Sequence, residues 1–88
     1  MVEQQINVIN ALGIHARPAS KIVQAANKFK SRIVLVKDTL TADAKSILHV
    51  MMLGANFGST ILVQATGEDE KDAIAAISKL FADKFDED

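Results

Sequence analysis

The sequence predicts an α+β fold, a two-layer sandwich with the element order β-α-β-β-α-β-α. Four short segments, in which apolar residues alternate with polar ones or β-branched residues cluster, predict strands. Three other segments carry apolar residues at helical spacing, which predicts three amphipathic helices. The apolar faces of these helices need a shared surface, and one face of a four-stranded sheet provides it. Sequence order alone does not fix the order of the strands in that sheet.

The first strand and the first helix flank a short turn. Ile6 and Val8 alternate with Gln5 and Asn7, which predicts a strand over residues 3–9. Residues 10–13 are expected to turn the chain, and a helix is predicted from residue 16 to about residue 29. Its apolar face comprises Ala19, Ile22, Val23, Ala26 and Phe29.

The remaining strands and the last helix follow from similar patterns. β-branched residues predict a strand over residues 32–37, with residues 40–43 as its hairpin partner, and alternation predicts a fourth strand over residues 60–66. Acidic residues from Asp69 onward occupy the first turn of the last helix, where they favour the helix dipole. Residues 86–88 are expected to fray. The apolar face of this helix comprises Ala73, Ile74, Ile77, Leu80, Phe81 and Phe85.

A short helix between the third and fourth strands is unusually apolar. Ser46 as the N-cap and Gly54 just past the end bracket about two helical turns. Because two turns cannot bury their whole circumference, we expect some of Ile47, Leu48, Met51 and Met52 to stay exposed. Ile47, Leu48 and Met51 are the ones that we expect to form a docking surface. The alternative is that all of these side chains belong to the core.

The composition excludes several classes of protein. The chain has 88 residues, which is the size of one domain (residues 1–88), and a net charge of -1, which argues against nucleic-acid binding. It contains no cysteine, no apolar run near the ~20 residues of a membrane span, and no signal-peptide pattern at Met1. We therefore expect a cytoplasmic protein that does not insert into a membrane, with no metal site and no cofactor.

The strongest candidate for chemistry is His15, at the point where the first helix begins. A helix N-terminus offers unpaired N–H groups and a partial positive charge, here from the backbone of Ala16 and Arg17, and the Arg17 guanidinium can pair with phosphoryl oxygens. Pro18 suits the first turn because its missing N–H does no harm there. A neutral imidazole nitrogen in this place could accept a phosphoryl group. The alternative is a histidine that only caps the helix; His49, the other histidine, receives no role.

The stretch Gly13-Ile14-His15-Ala16-Arg17-Pro18-Ala19 resembles the active-site signature of the HPr family, the histidine-containing phosphocarrier proteins of the bacterial phosphotransferase system. A second signature, Lys45-Ser46-Ile47-Leu48 with Leu53-Gly54, matches as well, and the similarity covers the length and element order of the whole chain. Residues 10–19 and the C-terminal end are similar to the nitrogen-related paralogue, NPr.

This resemblance implies an open-faced sandwich with a four-stranded antiparallel sheet and three helices on one face. It implies a carrier rather than an enzyme, in which His15 accepts phosphate on Nδ1 from enzyme I and passes it to an enzyme IIA domain, while Arg17 neutralises the transferring group. Ser46 corresponds to a serine that a dedicated kinase and phosphatase regulate in some bacteria. The docking face implied for this monomeric carrier comprises Ala16, Ser20, Ile47, Leu48 and Met51.

Two questions stay open at the level of the sequence. Serine is a good N-cap, so Ser46 needs no kinase to explain its position, although a phosphate there would place about -2 charge on the docking face. The alternative functions are a regulatory binding module that acts through the phosphorylation state of Ser46 and the Ile47/Leu48/Met51 patch, and a structural interaction domain whose helix cap happens to be histidine.

Overall fold

Four antiparallel strands and three α-helices form the described part of the chain, residues 1–86, in the computed structural model. The predicted fold class is confirmed, with the elements in the expected order. Their bounds are β1 Val2–Asn7, α1 Ala16–Ala26, β2 Arg32–Lys37, β3 Leu40–Asp43, α2 Ile47–Met52, β4 Thr60–Thr66 and α3 Glu70–Ala82, followed by a 3-10 turn at Lys84–Asp86.

The sheet has the strand order β1-β4-β2-β3, which the sequence left open. Strand β4 lies between β1 and β2, so that Ile61 faces Ile6 and Val63 faces Leu35 across the two pairings. In β4 the residues alternate as predicted: Ile61, Val63 and Ala65 are buried beneath the helices, while Leu62 and Gln64 lie on the other face. The helices therefore cover one face of the sheet, as the resemblance implied.

The core combines this face of the sheet with one side of each helix. The rings of Phe81 and Phe85 meet edge to face with centroids 4.9 Å apart and planes inclined by 66°, a favourable aromatic geometry. The largest fully buried side chains include Ile22 on α1, Ile33 and Leu35 on β2, Ile61 on β4, and Ile77, Phe81 and Phe85 at the C-terminal end.

Asp69 ties the beginning of α3 to the turn before β2. Its carboxylate accepts hydrogen bonds from the N–H of Lys30 at 2.9 Å, from the N–H of Ser31 at 2.9 Å and from the Ser31 hydroxyl at 2.5 Å. These bonds favour the ionised carboxylate, those of the Ser31 hydroxyl and the Lys30 N–H most, and they lower the pKa of Asp69 to about 2.

Two predicted boundaries are wrong by two or three residues. Strand β1 ends at Asn7 rather than residue 9, because Val8 bonds to the loop at residues 58–59 instead of continuing the ladder. Helix α1 ends at Ala26 rather than near residue 29, because the Asn27 side chain donates to the Val23 carbonyl at 2.9 Å and the next residues form a tighter turn.

The C-terminal end also differs from the prediction. Phe85 is buried as expected, but it lies on the 3-10 turn and not on α3, with a positive φ of 56°. The Lys21 ammonium of α1 donates to the Phe85 carbonyl and lies 3.9 Å from the Asp86 carboxylate. Asp86 belongs to the 3-10 turn, and the rest of the segment predicted to fray, residues 87–88, lies outside the described residues.

Candidate functional site

The loop that leads to His15 is closed by two hydrogen bonds between its first and last residues. The Gly13 N–H donates to the Asn10 carbonyl at 3.1 Å, and the Asn10 side-chain amide donates to the Gly13 carbonyl at 2.6 Å. Asn10 is only 1% exposed, so these bonds form away from solvent. They hold the turn in one conformation immediately before the candidate site.

A second loop supports this turn from the side. The Ile14 N–H donates to the Ala55 carbonyl at 2.9 Å, and the Ile14 side chain is buried. Gly13 has a φ of +68°, and a Cβ atom at this position would lie 2.5 Å from the Ala55 carbonyl oxygen and 2.8 Å from the Cα of Asn56. Only glycine allows both this backbone conformation and this close approach of the two loops.

His15 is the N-cap residue of α1, with an extended backbone (φ -91°, ψ -167°). Its carbonyl accepts the first helical hydrogen bond, from the Ala19 N–H at 3.0 Å, but its side chain makes no capping bond to the helix. The interpretation of His15 as a mere capping side chain is therefore not supported. The residue is half-buried, so the imidazole can be reached from solvent.

The first turn of α1 presents hydrogen-bond donors beside the imidazole. Ala16 and Arg17 occupy the first two helical positions, whose N–H groups have no acceptor within the helix, and both residues are exposed. The buried Pro18 has no N–H to leave unsatisfied. Two main-chain donors and the positive end of the helix dipole thus lie at the helix N-terminus that begins at His15, and Arg17 adds a guanidinium two residues further on; all three favour an anion.

Helix α2 packs against α1 and presents an apolar surface. Ile47, Leu48 and Met51 are 44%, 64% and 43% exposed, whereas Val50 is fully buried. The predicted exposure of the three side chains is confirmed, and the alternative of a wholly buried helix is wrong. The Ser46 hydroxyl accepts from the His49 N–H at 3.3 Å, so the predicted N-cap is confirmed as well.

Ala16 and Ser20 lie one turn apart on α1, the helix that begins at His15. The Ser20 hydroxyl is half-buried and accepts a hydrogen bond from the Gln24 side chain at 3.3 Å. Because α1 and α2 pack together, these residues and the exposed side chains of α2 belong to adjoining elements.

Sequence reasoning missed two residues near the site. Asn10 is assigned only to a turn by its sequence context, and nothing local indicates that its side chain is buried. Phe57 is 66% exposed on the loop that supports Gly13, and Leu12 on the facing loop is 74% exposed. A single aromatic residue between Asn56 and Gly58 was the available signal for an exposed apolar position.

Within residues 1–86, no group of three or more His, Asp or Glu side chains is arranged to hold a metal ion. No helix in that same range has the length and apolar character needed to cross a membrane.

Comparisons with known proteins agree with this geometry. Residues 2–83 match the family described as the PTS HPr component phosphorylation site. The chain is 48% identical over 88 residues to phosphocarrier protein HPr of Treponema pallidum (strain Nichols), with 100% of both chains covered. It is 41% identical over 88 residues to phosphocarrier protein NPr of Escherichia coli (strain K12), which covers 99% of this chain and 98% of that protein.

The fold matches solved structures of the same kind. A crystal structure of HPr-C-His from Thermoanaerobacter tengcongensis superposes with a TM-score of 0.96 at 43% sequence identity, covering 100% of this chain and 99% of that one. The similarity extends from the histidine loop to the last helix. The chain belongs to the HPr family of phosphocarrier proteins of the phosphotransferase system.

Proposed function

We propose that this chain accepts a phosphoryl group on His15 from phosphorylated enzyme I and passes it to an enzyme IIA domain. The observation that carries the proposal is the placement of His15 as the N-cap of α1, beside the exposed first-turn residues Ala16 and Arg17. This arrangement suits a nucleophile that must hold a dianionic group briefly and then release it.

The transfer needs no cofactor in this chain. The lone pair of the neutral His15 Nδ1 forms a bond to phosphorus while the bond between phosphorus and the donor breaks, and the proton on the other ring nitrogen stays in place. The N–H groups of Ala16 and Arg17 and the Arg17 guanidinium stabilise the charge on the phosphoryl oxygens during both transfers. The phosphoryl group then stays on His15 until an acceptor docks.

We assign docking of both partners to Ala16 and Ser20 on α1 and to Ile47, Leu48 and Met51 on α2. The exposure of the three α2 side chains and the packing of α2 against α1 support this assignment. Exposed apolar patches mark interaction sites, and methionine is frequent on binding surfaces that serve several partners. One surface used in turn by donor and acceptor fits a carrier, since each partner must leave before the other can bind.

Labelling with phosphoenolpyruvate tests the proposal directly. With enzyme I present, the wild-type chain should take up label that survives alkali and is lost in acid, as expected for phosphohistidine. His15→Ala should take up none while keeping the wild-type urea midpoint, and His49→Ala, the matched histidine control, should label normally. Undiminished labelling of His15→Ala would contradict the proposal. Parallel chases with a sugar-type and a nitrogen-type enzyme IIA identify the acceptor.

Ser46 supports a secondary regulatory role. Its hydroxyl caps α2 next to the exposed Ile47 and Leu48, so a phosphate added there would sit at a helix N-terminus and leave the helix intact. The added charge of about -2 would repel an acidic partner surface. Ser46→Asp should slow transfer from enzyme I without changing the urea midpoint, and an unchanged transfer rate would confine Ser46 to capping.

We also propose that residues 1–88 form a single HPr-like domain that works as a monomer in the cytoplasm. One contiguous cluster of buried residues draws on all three helices and on three of the four strands, which supports a single folding unit. Phosphoenolpyruvate is a cytoplasmic metabolite, so the proposed reaction requires that location. Sedimentation of the chain at assay concentration should give the mass of one copy, and a mass of two copies would contradict the monomer.

A further inference from the structure

Buried polar side chains are few in the described part of the chain, where only Asn10 and Ser31 are polar and nearly inaccessible, each 1% exposed. Burying a polar group is unfavourable unless hydrogen bonds compensate it, so such a residue needs a structural or functional explanation. Ser31 is explained by its bonds to Asp69, which join two elements of the fold. Asn10 lies instead in the loop before His15.

The side chain of Asn10 acts on one particular peptide group. The carbonyl of the Gly13–Ile14 peptide accepts from the Asn10 amide at 2.6 Å, while the N–H of the same peptide donates to the Ala55 carbonyl at 2.9 Å. Both polar atoms of this peptide are thus held, one from within the loop and one from the neighbouring loop. Rotation of the peptide plane would break both bonds.

Very little freedom remains between this peptide and the nucleophile. Only the backbone of Ile14, whose side chain is buried, separates the held peptide from the N-cap residue His15. A peptide plane that is fixed on both sides therefore fixes the direction in which the chain enters α1. That direction determines where the imidazole stands relative to the N–H groups of Ala16 and Arg17.

We propose that Asn10 is a positioning residue for phosphoryl acceptance by His15, acting through the Gly13–Ile14 peptide. The inference rests on the proposed function, because it concerns how the same histidine is held. Positioning matters for group transfer, since a displacement of a nucleophile by about 1 Å can cost on the order of a hundredfold in rate. Losing one of the two bonds that hold the peptide should cost less, about tenfold.

The test replaces Asn10 with leucine, which has nearly the same shape but no amide and no charge. The matched control is Asn27→Leu, because Asn27 also donates from its side-chain amide to a main-chain carbonyl, that of Val23 at 2.9 Å, at the opposite end of α1. For both variants the rate of labelling by enzyme I and phosphoenolpyruvate is measured against carrier concentration, at a temperature where each is fully folded by circular dichroism.

With Asn10→Leu as the phosphoryl acceptor, we expect the kcat of enzyme I to fall about tenfold. The KM for the carrier should change little, because the docking side chains are untouched. Asn27→Leu should keep both constants. The ¹⁵N resonances of the His15 ring should also move in Asn10→Leu, a change that a purely structural role in the core would not produce. Should Asn10→Leu fail to fold, Asn10→Ala, which removes the amide donor without adding apolar bulk, takes its place with the same expectation.

Two outcomes overturn the inference, and they are distinguishable. If the wild-type chain accepts label and enzyme I shows the same kcat with the folded Asn10 variant as with the wild-type chain, the positioning role is wrong while the proposed function stands. If the wild-type chain takes no label on His15, the proposed function fails, and the role of Asn10 fails with it.

Discussion

Replacing Gly13 with alanine should destabilise the chain far more than the same change at Gly54. Both glycines have a positive φ, +68° and +62°, so both alanine variants carry the cost of a left-handed backbone, about 1–2 kcal/mol. The lower entropy of the unfolded alanine chain offsets about 0.4–1 kcal/mol of that cost at each position. Conformational strain alone therefore predicts similar losses of about 1 kcal/mol.

Only Gly13 adds a steric cost. Its new Cβ would meet the Ala55 carbonyl oxygen at 2.5 Å and the Asn56 Cα at 2.8 Å, whereas nothing lies within 4 Å of the corresponding position at Gly54. Since both neighbours are main-chain atoms, the two loops must separate, which breaks the bond from the Ile14 N–H to Ala55 and strains the bonds to Asn10. The broken bond costs about 1 kcal/mol and the weakened bonds to Asn10 together about as much, so Gly13→Ala should lose about 3 kcal/mol in total when the conformational strain is included.

Urea denaturation of the two variants in parallel measures this difference. With a slope of about 1 kcal/mol per molar urea for a small domain, Gly13→Ala should unfold at a midpoint about 2 M below that of Gly54→Ala. Labelling by enzyme I should also slow in Gly13→Ala, because the separated loops displace His15. Equal midpoints for the two variants would refute the argument that contact between the loops holds the site.

Three further predictions concern other parts of the structure. Ser46→Ala should lower the free energy of unfolding by ~1 kcal/mol or slightly less, as measured in urea, because the capping bond to the His49 N–H is a long one, 3.3 Å. Met51→Glu should slow labelling by enzyme I about tenfold at subsaturating donor, because it places a charge in the proposed docking face. Met52 is 69% exposed but lies outside that proposed face, so Met52→Glu should label at the wild-type rate. Equal rates for Met51→Glu and wild type would remove Met51 from the docking face. Because the pKa of Asp69 falls from 3.8 to about 2 on folding, its stabilisation is complete above pH 3.8 and is lost as the pH falls towards 2. Urea midpoints should therefore drop over that range in wild type and less so in Asp69→Asn.

Local patterns predict most of the fold. Local patterns identify all seven strands and helices: alternation or clustered β-branched residues indicate the strands, helical spacing indicates α1 and α3, and the cap residues Ser46 and Gly54 indicate α2. Burial of alternate residues in β4 follows from its sequence alone. The end of α1 is set by a side-chain cap at Asn27 that periodicity does not register. Phe85 satisfies the helical spacing and is buried, yet it lies in a turn with positive φ angles rather than in α3. A hydrogen bond from Lys21, which belongs to a helix far away in the sequence, supports that turn.

In the candidate site, too, some features can be predicted from the sequence and others cannot. His15, Ala16 and Arg17 are adjacent in the sequence, so the nucleophile and its anion-binding partners are visible as a local motif at a helix start. The exposure of α2 follows from its composition and length. The contact between Gly13 and Ala55, which holds the loop before His15, cannot be predicted from local patterns, because it joins loops that are far apart in the sequence.

The strand order has a consequence for how the chain folds during translation. In this sheet β1 is an edge strand whose neighbour is β4, with Val2 paired to Ala65. Val2 is among the first residues to leave the ribosome, but its pairing cannot form until Ala65 has been synthesised. Strand β2 waits for the same partner on its other side. Pairings of such long sequence separation close late and slowly. The nascent chain therefore lacks the strand that joins β1 to β2 until β4 emerges, and pairing of β4 with both strands should be the step that completes the fold.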